Sequence, residues 1–108
     1  MDTEMLRKKY LPMTESAYYI LLCLNEPRHG YGIMQHVEDI TGGRIKIGPG
    51  TMYGTLSKLE NEGLMVQEEE TDRKKIYRLS DKGRQVLKLE LERLRELLSN
   101  GIKEMEGL

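Results

Sequence analysis

The chain has no tryptophan and no phenylalanine; its six aromatic residues are all tyrosines. It has one cysteine, three prolines and a formal net charge of −1. A single cysteine excludes an intramolecular disulfide and points to a reducing compartment, so a cytoplasmic location is expected. Cys23 lies in the apolar run Tyr18-Tyr19-Ile20-Leu21-Leu22-Cys23-Leu24 and reads as a small buried hydrophobe. A redox sensor would need an exposed thiol beside a cation, and no cation is near it in sequence. No apolar run approaches the ~20 residues of a membrane span. The N-terminus has no apolar core segment, so no signal peptide is expected. His29 and His36 with one distant cysteine fall short of the three or four ligands of a zinc site. No phosphate loop with its Lys and Ser/Thr is present, and Gly48-x-Gly50 lacks the rest of a dinucleotide fingerprint. No Ser-His-Asp or Cys-His set stands in context. No enzyme, metal or cofactor is expected.

What remains is enough for one folded domain. A chain of 108 residues has the size of a single domain, and 38% hydrophobic content supports a core. Charged residues reach 32%, above the average of about 25%, which suits helical surfaces. The near-zero net charge does not itself attract nucleic acid, but the charges are sorted. Between Ile40 and Leu59 stand Arg44, Lys46 and Lys58 with no acid. Arg73, Lys74, Lys75 and Arg78 face only Asp72, while acids gather at Glu60 to Glu70 and in the last helix. A local patch of this kind can hold phosphates on a neutral chain.

Along the chain, residues 1–12 read as a short helix or arm with Met5, Leu6 and Tyr10 as its docking residues. Thr14 is an N-cap with Glu15 in the first turn, opening a central buried helix through Leu24. Asn25 to Gly30 read as a turn. The next helix, about Tyr31 to Ile40, places Ile33, Met34, Val37 and Ile40 on one face and stops at Thr41-Gly42-Gly43. Arg44-Ile45-Lys46-Ile47 alternates and reads as a very short strand. Gly48-Pro49 opens another helix with proline in its favoured first turn. After Gly63, residues Leu64 to Glu69 and Lys74 to Leu79 form a hairpin turning near Glu70 to Arg73, with Tyr77 and Leu79 aimed at the core. Ser80 caps a last helix whose Leu87, Leu91, Leu94, Leu98, Ile102 and Met105 repeat at coiled-coil spacing. Its polar sides take Lys88, Glu90, Glu92, Arg93, Arg95 and Glu96. Ser99-Asn100-Gly101 is a candidate end.

The helix from Gly48 to Leu64 is the most informative segment. At ~100° per residue Met52, Leu56, Leu59 and Gly63 share an apolar stripe. Gly50, Gly54, Ser57 and Asn61, flanked by Tyr53 and Lys58, share the opposite face. A glycine inside a helix costs about 1 kcal/mol relative to alanine. Gly54 takes that cost where a close approach would need it. Small hydrogen-bonding residues beside a cation suit a helix laid in a DNA major groove. The N-terminus that Pro49 opens presents free amide N–H groups, among them those of Gly50 and Thr51, a natural phosphate seat. With the basic hairpin behind it, the pattern predicts a mainly α (α+β) fold. Residues 1–80 form a winged helix-turn-helix, with 1–12 as N-terminal arm, and residues 81–108 a long C-terminal dimerisation helix.

The same segments resemble the PadR family of bacterial transcription regulators. Tyr18-Tyr19-Ile20-Leu21-Leu22 with Leu24 resembles the family's first core helix, and Arg28-His29-Gly30-Tyr31-Gly32-Ile33 its His-Gly-Tyr-Gly turn. Gly50-Thr51-Met52-Tyr53-Gly54-Thr55-Leu56, with Leu59 and Glu62-Gly63-Leu64, resembles the recognition helix. Arg73 to Leu79 and Lys82-Gly83 resemble the wing and the start of the final helix. The resemblance spans roughly residues 10 to 98 and implies a dimer that binds an operator and usually represses. It also implies release by ligands, which are phenolic acids or toxic compounds in studied members. The short tail is similar to the branch without an extended C-terminal domain. With no tryptophan, the paired-tryptophan drug sandwich known in that branch cannot form here.

The expected DNA-binding residues are therefore Pro49, Gly50, Thr51, Tyr53, Gly54, Ser57, Lys58, Asn61, Arg73, Lys74 and Lys75. Tyr53 is read as a phosphate or sugar contact, with partly buried packing as the alternative; for Ser57 and Lys58 the alternative is a solvated helix face. The expected dimerisation residues are Met5, Leu6, Tyr10, Leu87, Leu91, Leu94, Leu98 and Ile102, with a small aromatic or apolar effector lodging in the same seam. The rival reading is a winged-helix protein-interaction module without DNA binding, which should carry large apolar residues on the recognition face.

Overall fold

The computed structural model describes residues 2–71 and 74–106. Helix α1 (Thr3–Tyr10) begins at Asp2, whose carboxylate accepts from the Glu4 amide at 3.0 Å. Helix α2 (Glu15–Cys23) is capped by Thr14, whose hydroxyl accepts from the Ala17 amide at 3.1 Å. A two-residue strand β1 (Arg28–His29) leads into α3 (Gly30–Ile40). Then come α4 (Pro49–Asn61), strands β2 (Met65–Thr71) and β3 (Lys74–Leu79), and α5 (Asp81–Glu104). The fold is mostly helical with one small antiparallel sheet, ordered β1-β3-β2.

The core gathers where α2, α3, α4, β3 and the first turns of α5 meet. Ile20, Leu21, Leu24, Ile33, Val37, Met52, Leu56, Leu59, Leu64, Tyr77, Leu79 and Val86 are all buried there. Burial of each such side chain is worth about 1.5–3 kcal/mol before the entropy of ordering is counted. Thr41 ends α3: its hydroxyl donates to the Val37 carbonyl at 2.8 Å and accepts from the Ile45 amide at 3.1 Å. Gly63, at φ 75°, ends α4 in the left-handed conformation that glycine adopts without penalty. Ser80 joins wing to last helix, donating to the Gly63 carbonyl at 2.6 Å and accepting from the Gly83 amide at 3.0 Å. A methyl group on Gly83 would overlap the Leu64 carbonyl, so the close crossing of α5 over the wing demands glycine there.

Several expectations are corrected. Arg44 to Ile47 is not a strand; the third strand is β1, at the position read as a turn. It exists because Arg28 and His29 pair with Tyr77 and Ile76 of β3, a contact no local pattern encodes. Ile40 is 47% exposed rather than on the buried face of α3. Ser99-Asn100-Gly101 does not end α5, which continues to Glu104. Glu90, placed on a polar side, is buried, because α5 there packs against the segment joining α1 to α2. Leu6 and Leu87, expected to face a partner, are 0% and 5% exposed in the single chain. Leu6 is closed off because α1 folds back on the chain's own α5, and Leu87 because it belongs to the core cluster.

Candidate nucleic-acid interface

Helix α4 shows two faces. Met52, Leu56 and Leu59 are buried in the core, while Pro49, Gly50, Thr51, Gly54, Ser57, Lys58 and Asn61 are exposed. The side chains of Thr51, Ser57, Lys58 and Asn61 have no hydrogen-bond or ion-pair partner among the described residues. Their donors and acceptors are turned to solvent on a rigid element. A methyl group on Gly48, Gly50 or Gly54 would meet nothing within 4 Å. The fold itself thus gives no reason for glycine at 54. The face it leaves is low and polar, suited to a surface that comes close from outside.

The packing of Tyr53 is partial. The residue is half exposed, yet its ring end lies against the start of α3. The wing follows as β2 and β3, with Lys74 and Lys75 exposed at its described end. Arg73 lies outside the described residues. The His29 ring nitrogen Nδ1 is 3.2 Å from the Lys75 carbonyl oxygen, which ties the start of α3 to the wing.

Charge sorting in the sequence overstated the positive patch. Arg44 pairs with Glu15 at 2.9 Å, Lys46 with Glu38 at 3.8 Å, and Arg78 with Glu68 at 2.7 Å. The acids that neutralise Arg44 and Lys46 come from α2 and α3, so a window from Ile40 to Leu59 could not show them. Lys58, Lys74 and Lys75 have no such partner among the described residues.

The apolar stripe of α5 runs on past the core. Leu91, Leu94, Leu98, Ile102 and Met105 are exposed, and so is Leu97, which the seam reading omitted. Met5 is exposed, whereas Tyr10 is half-buried against the chain's own residues, with the Lys9 and Lys82 ammonium groups over its ring at 5.4 and 5.1 Å. Sequence reasoning also missed Glu90. Its carboxylate accepts from the Met13 amide at 2.9 Å and from Arg93 Nη2 at 3.1 Å. Burial pushes this carboxyl up, but the Arg93 hydrogen bonds, the Met13 amide and the Arg93 charge outweigh it and hold the group below its ordinary value. The Arg93 spacing three residues on was the only signal. Cys23 is buried, and burial pushes its thiol up to about 11 against the opposing charge of Arg28, so it is a packing residue. Among the described residues no group of three His, Cys, Asp or Glu side chains could hold a metal ion, and no helix is long and apolar enough to cross a membrane.

The model of the transcriptional regulator PadR-like family matches residues 20–89, from the middle of α2 into α5. This chain belongs to the PadR-like family. The matched stretch contains α4, the wing and the core beneath them. A PadR family transcriptional regulator from Eggerthella lenta has a similar structure, with TM-score 0.66 and 29% identity, covering 97% of this chain and 89% of that one. The transcriptional regulator YqjI of Escherichia coli is 31% identical over 98 residues, 90% of this chain and 47% of YqjI. An uncharacterised 37.1 kDa protein of transposon Tn4556 from Streptomyces fradiae is 37% identical over 79 residues, 71% of this chain and 22% of that protein. The chain thus spans less than half the length of these two relatives. PadR-like proteins are transcriptional regulators, and the winged helix-turn-helix with its long last helix agrees with that membership.

Proposed function

We propose that the protein is a DNA-binding transcriptional repressor acting as a homodimer on an inverted-repeat operator. The observation that carries this reading is the exposed face of α4, where Gly54 stands among Ser57, Lys58 and Asn61, none with a side-chain partner among the described residues. The rival protein-interaction reading needs large apolar side chains on that face, and Tyr53 at its edge is the only large one. The regulator names of the relatives support the same class. In the dimer the apolar stripe of α5 meets its copy, and two α4 helices enter successive major grooves about 34–36 Å apart. Lys58, Lys74, Lys75 and the N-terminus of α4 bind phosphates.

If the dimer neutralises about 6–10 phosphates, affinity falls by about 10³–10⁵ between 50 and 200 mM salt. A mobility-shift series with genomic fragments measures this, and the absence of any retarded species at low salt would sink the reading. An effector step belongs to it: a small aromatic or apolar molecule at the seam changes the distance between the reading heads and releases DNA. A recess of about 360 Å³ between Tyr18, Tyr19, Glu90, Arg93 and Leu94 opens beside the α5 stripe and is large enough for one. Screening phenolic acids and cationic drugs against the protein–operator complex tests the step; no release by any of them leaves a regulator without an effector.

A further inference from the structure

A groove of about 700 Å³ runs between the start of α3, Tyr53 of α4 and the wing. Arg28, His29, Lys74 and Lys75 line it together with Tyr31 and Tyr53, and no carboxylate is among its described lining residues. Tyr31 is 70% exposed and Tyr53 50% exposed, so both rings are open to the groove. The Tyr53 hydroxyl has no hydrogen-bond partner among the described residues. Its place is set from below by Gly30, which is buried although it has no side chain to hide. A methyl group there would stand 2.8 Å from Tyr53 Oη, 3.1 Å from Tyr53 Cζ and 2.9 Å from Met52 Cε. Real Cβ atoms do not approach so closely, so any residue but glycine would force the ends of the Tyr53 and Met52 side chains to shift.

We propose that Gly30 is a positioning residue for DNA binding: it leaves room for the Tyr53 ring to stand as the wall of this groove, where the sugar–phosphate strand held by the wing lysines passes. The proposal rests on the DNA-binding reading, in which Lys74 and Lys75 already bind phosphates, and adds to it what holds Tyr53 beside them. The chemistry fits a polyanion with a flat sugar face. Lys74 and Lys75 supply charge from the wing side, and tyrosine hydroxyls can donate to phosphate oxygens. The His29 contact to the Lys75 carbonyl fixes the two walls relative to each other. Since phosphate and sugar carry no sequence information, this contact sets register and affinity and leaves base choice to Ser57 and Asn61.

A double-mutant cycle on a fragment that the wild type retards at low salt tests this. Gly30→Ala is expected to weaken binding at least about tenfold, equally on specific and random duplexes. In a Tyr53→Ala background the same change is expected to cost nothing further, because the residue acts only through that ring. The clashing atoms are ends of flexible side chains, so Gly30→Ala should still fold, as circular dichroism will show. If it does not, Tyr53→Phe, which removes only the hydroxyl, carries the test with the same expected loss. Lys75→Gln should flatten the slope of log affinity against log salt by about 0.9 per lost phosphate contact, about 1.8 for a dimer. Equal losses from Gly30→Ala in both backgrounds, or an unchanged slope for Lys75→Gln, overturn the proposal while DNA binding stands. A wild type that retards no fragment overturns both.

Discussion

Gly54 shows what a single residue can decide. Its position in the middle of α4 weakens the helix, and the surrounding fold has room for a side chain. Gly54→Ala should therefore stabilise the protein by about 0.5–1 kcal/mol in a thermal or urea melt. Gly54→Leu should fold equally well yet lose specific DNA binding, since its side chain stands where the duplex lies. A Leu variant that binds like the wild type would remove the reason given for this glycine. Ser57 and Asn61 differ in kind from the wing lysines. Ser57→Ala or Asn61→Ala should change the ranking of operators, whereas Lys74→Ala with Lys75→Ala should weaken all sequences about equally. Titrations on one specific and one random duplex separate the two patterns. The exposure of Gly54, Ser57 and Asn61 was readable from sequence because α4 obeys a 3.6 period, which assigns a face to every position. Glu90 was not, since the same period puts it on a flank; only the fold brings the Met13 amide to its carboxylate.

At the level of elements, caps and stops were the best-written signals. Thr14, Pro49, Gly63 and Ser80 mark boundaries that the structure keeps, because each acts through its own backbone within a few residues. The wing strands were readable by alternation, with Tyr77 and Leu79 inward. Strand β1 was not, being two residues long and defined wholly by its neighbour β3. The ion pairs of Arg44 and Lys46 likewise join separate elements. The Glu90 contacts hold α5 to the start of α2 and give a pH signature. Its carboxyl is held below the ordinary value, so its stabilisation is fully present above the unfolded glutamate pKa of about 4.3. It is lost as pH falls through the lower folded value. Glu90→Gln should cost about 1.5–3 kcal/mol at pH 7, as for a hydrogen bond to a charged group. The deficit relative to wild type should shrink below about pH 4.3. Urea melts across this range check it; a deficit independent of pH would mean that the ionised carboxylate is not what holds the two segments together.

The whole molecule measures 54 × 35 × 21 Å, and its long dimension reflects α5, which at 1.5 Å per residue spans about 36 Å. Only the first turns of that helix belong to the core. Beyond Glu90 it carries Leu91, Leu94, Leu97, Leu98, Ile102 and Met105 into solvent, a stripe too apolar for a stable surface helix. The seam was legible as a repeat, but its starting point was not. Spacing could not show that Leu87 and Leu6 already lie inside the single chain, which moves the proposed dimer contact toward the C-terminal half of α5. Leu91→Glu with Leu94→Glu would place carboxylates without partners in that contact, which is strongly unfavourable. Neither residue is buried in the single chain, so the domain should stay folded while the dimer separates. Sedimentation velocity is expected to show a monomer. Operator affinity should fall with it although no DNA-facing residue has changed, because each monomer presents one reading helix to one half-site. The phosphates neutralised per bound particle halve, and the salt slope should fall to about half that of the wild type. A double variant that sediments as a dimer would place the contact elsewhere on the surface. A monomer that keeps full operator affinity and slope would show that one reading head suffices.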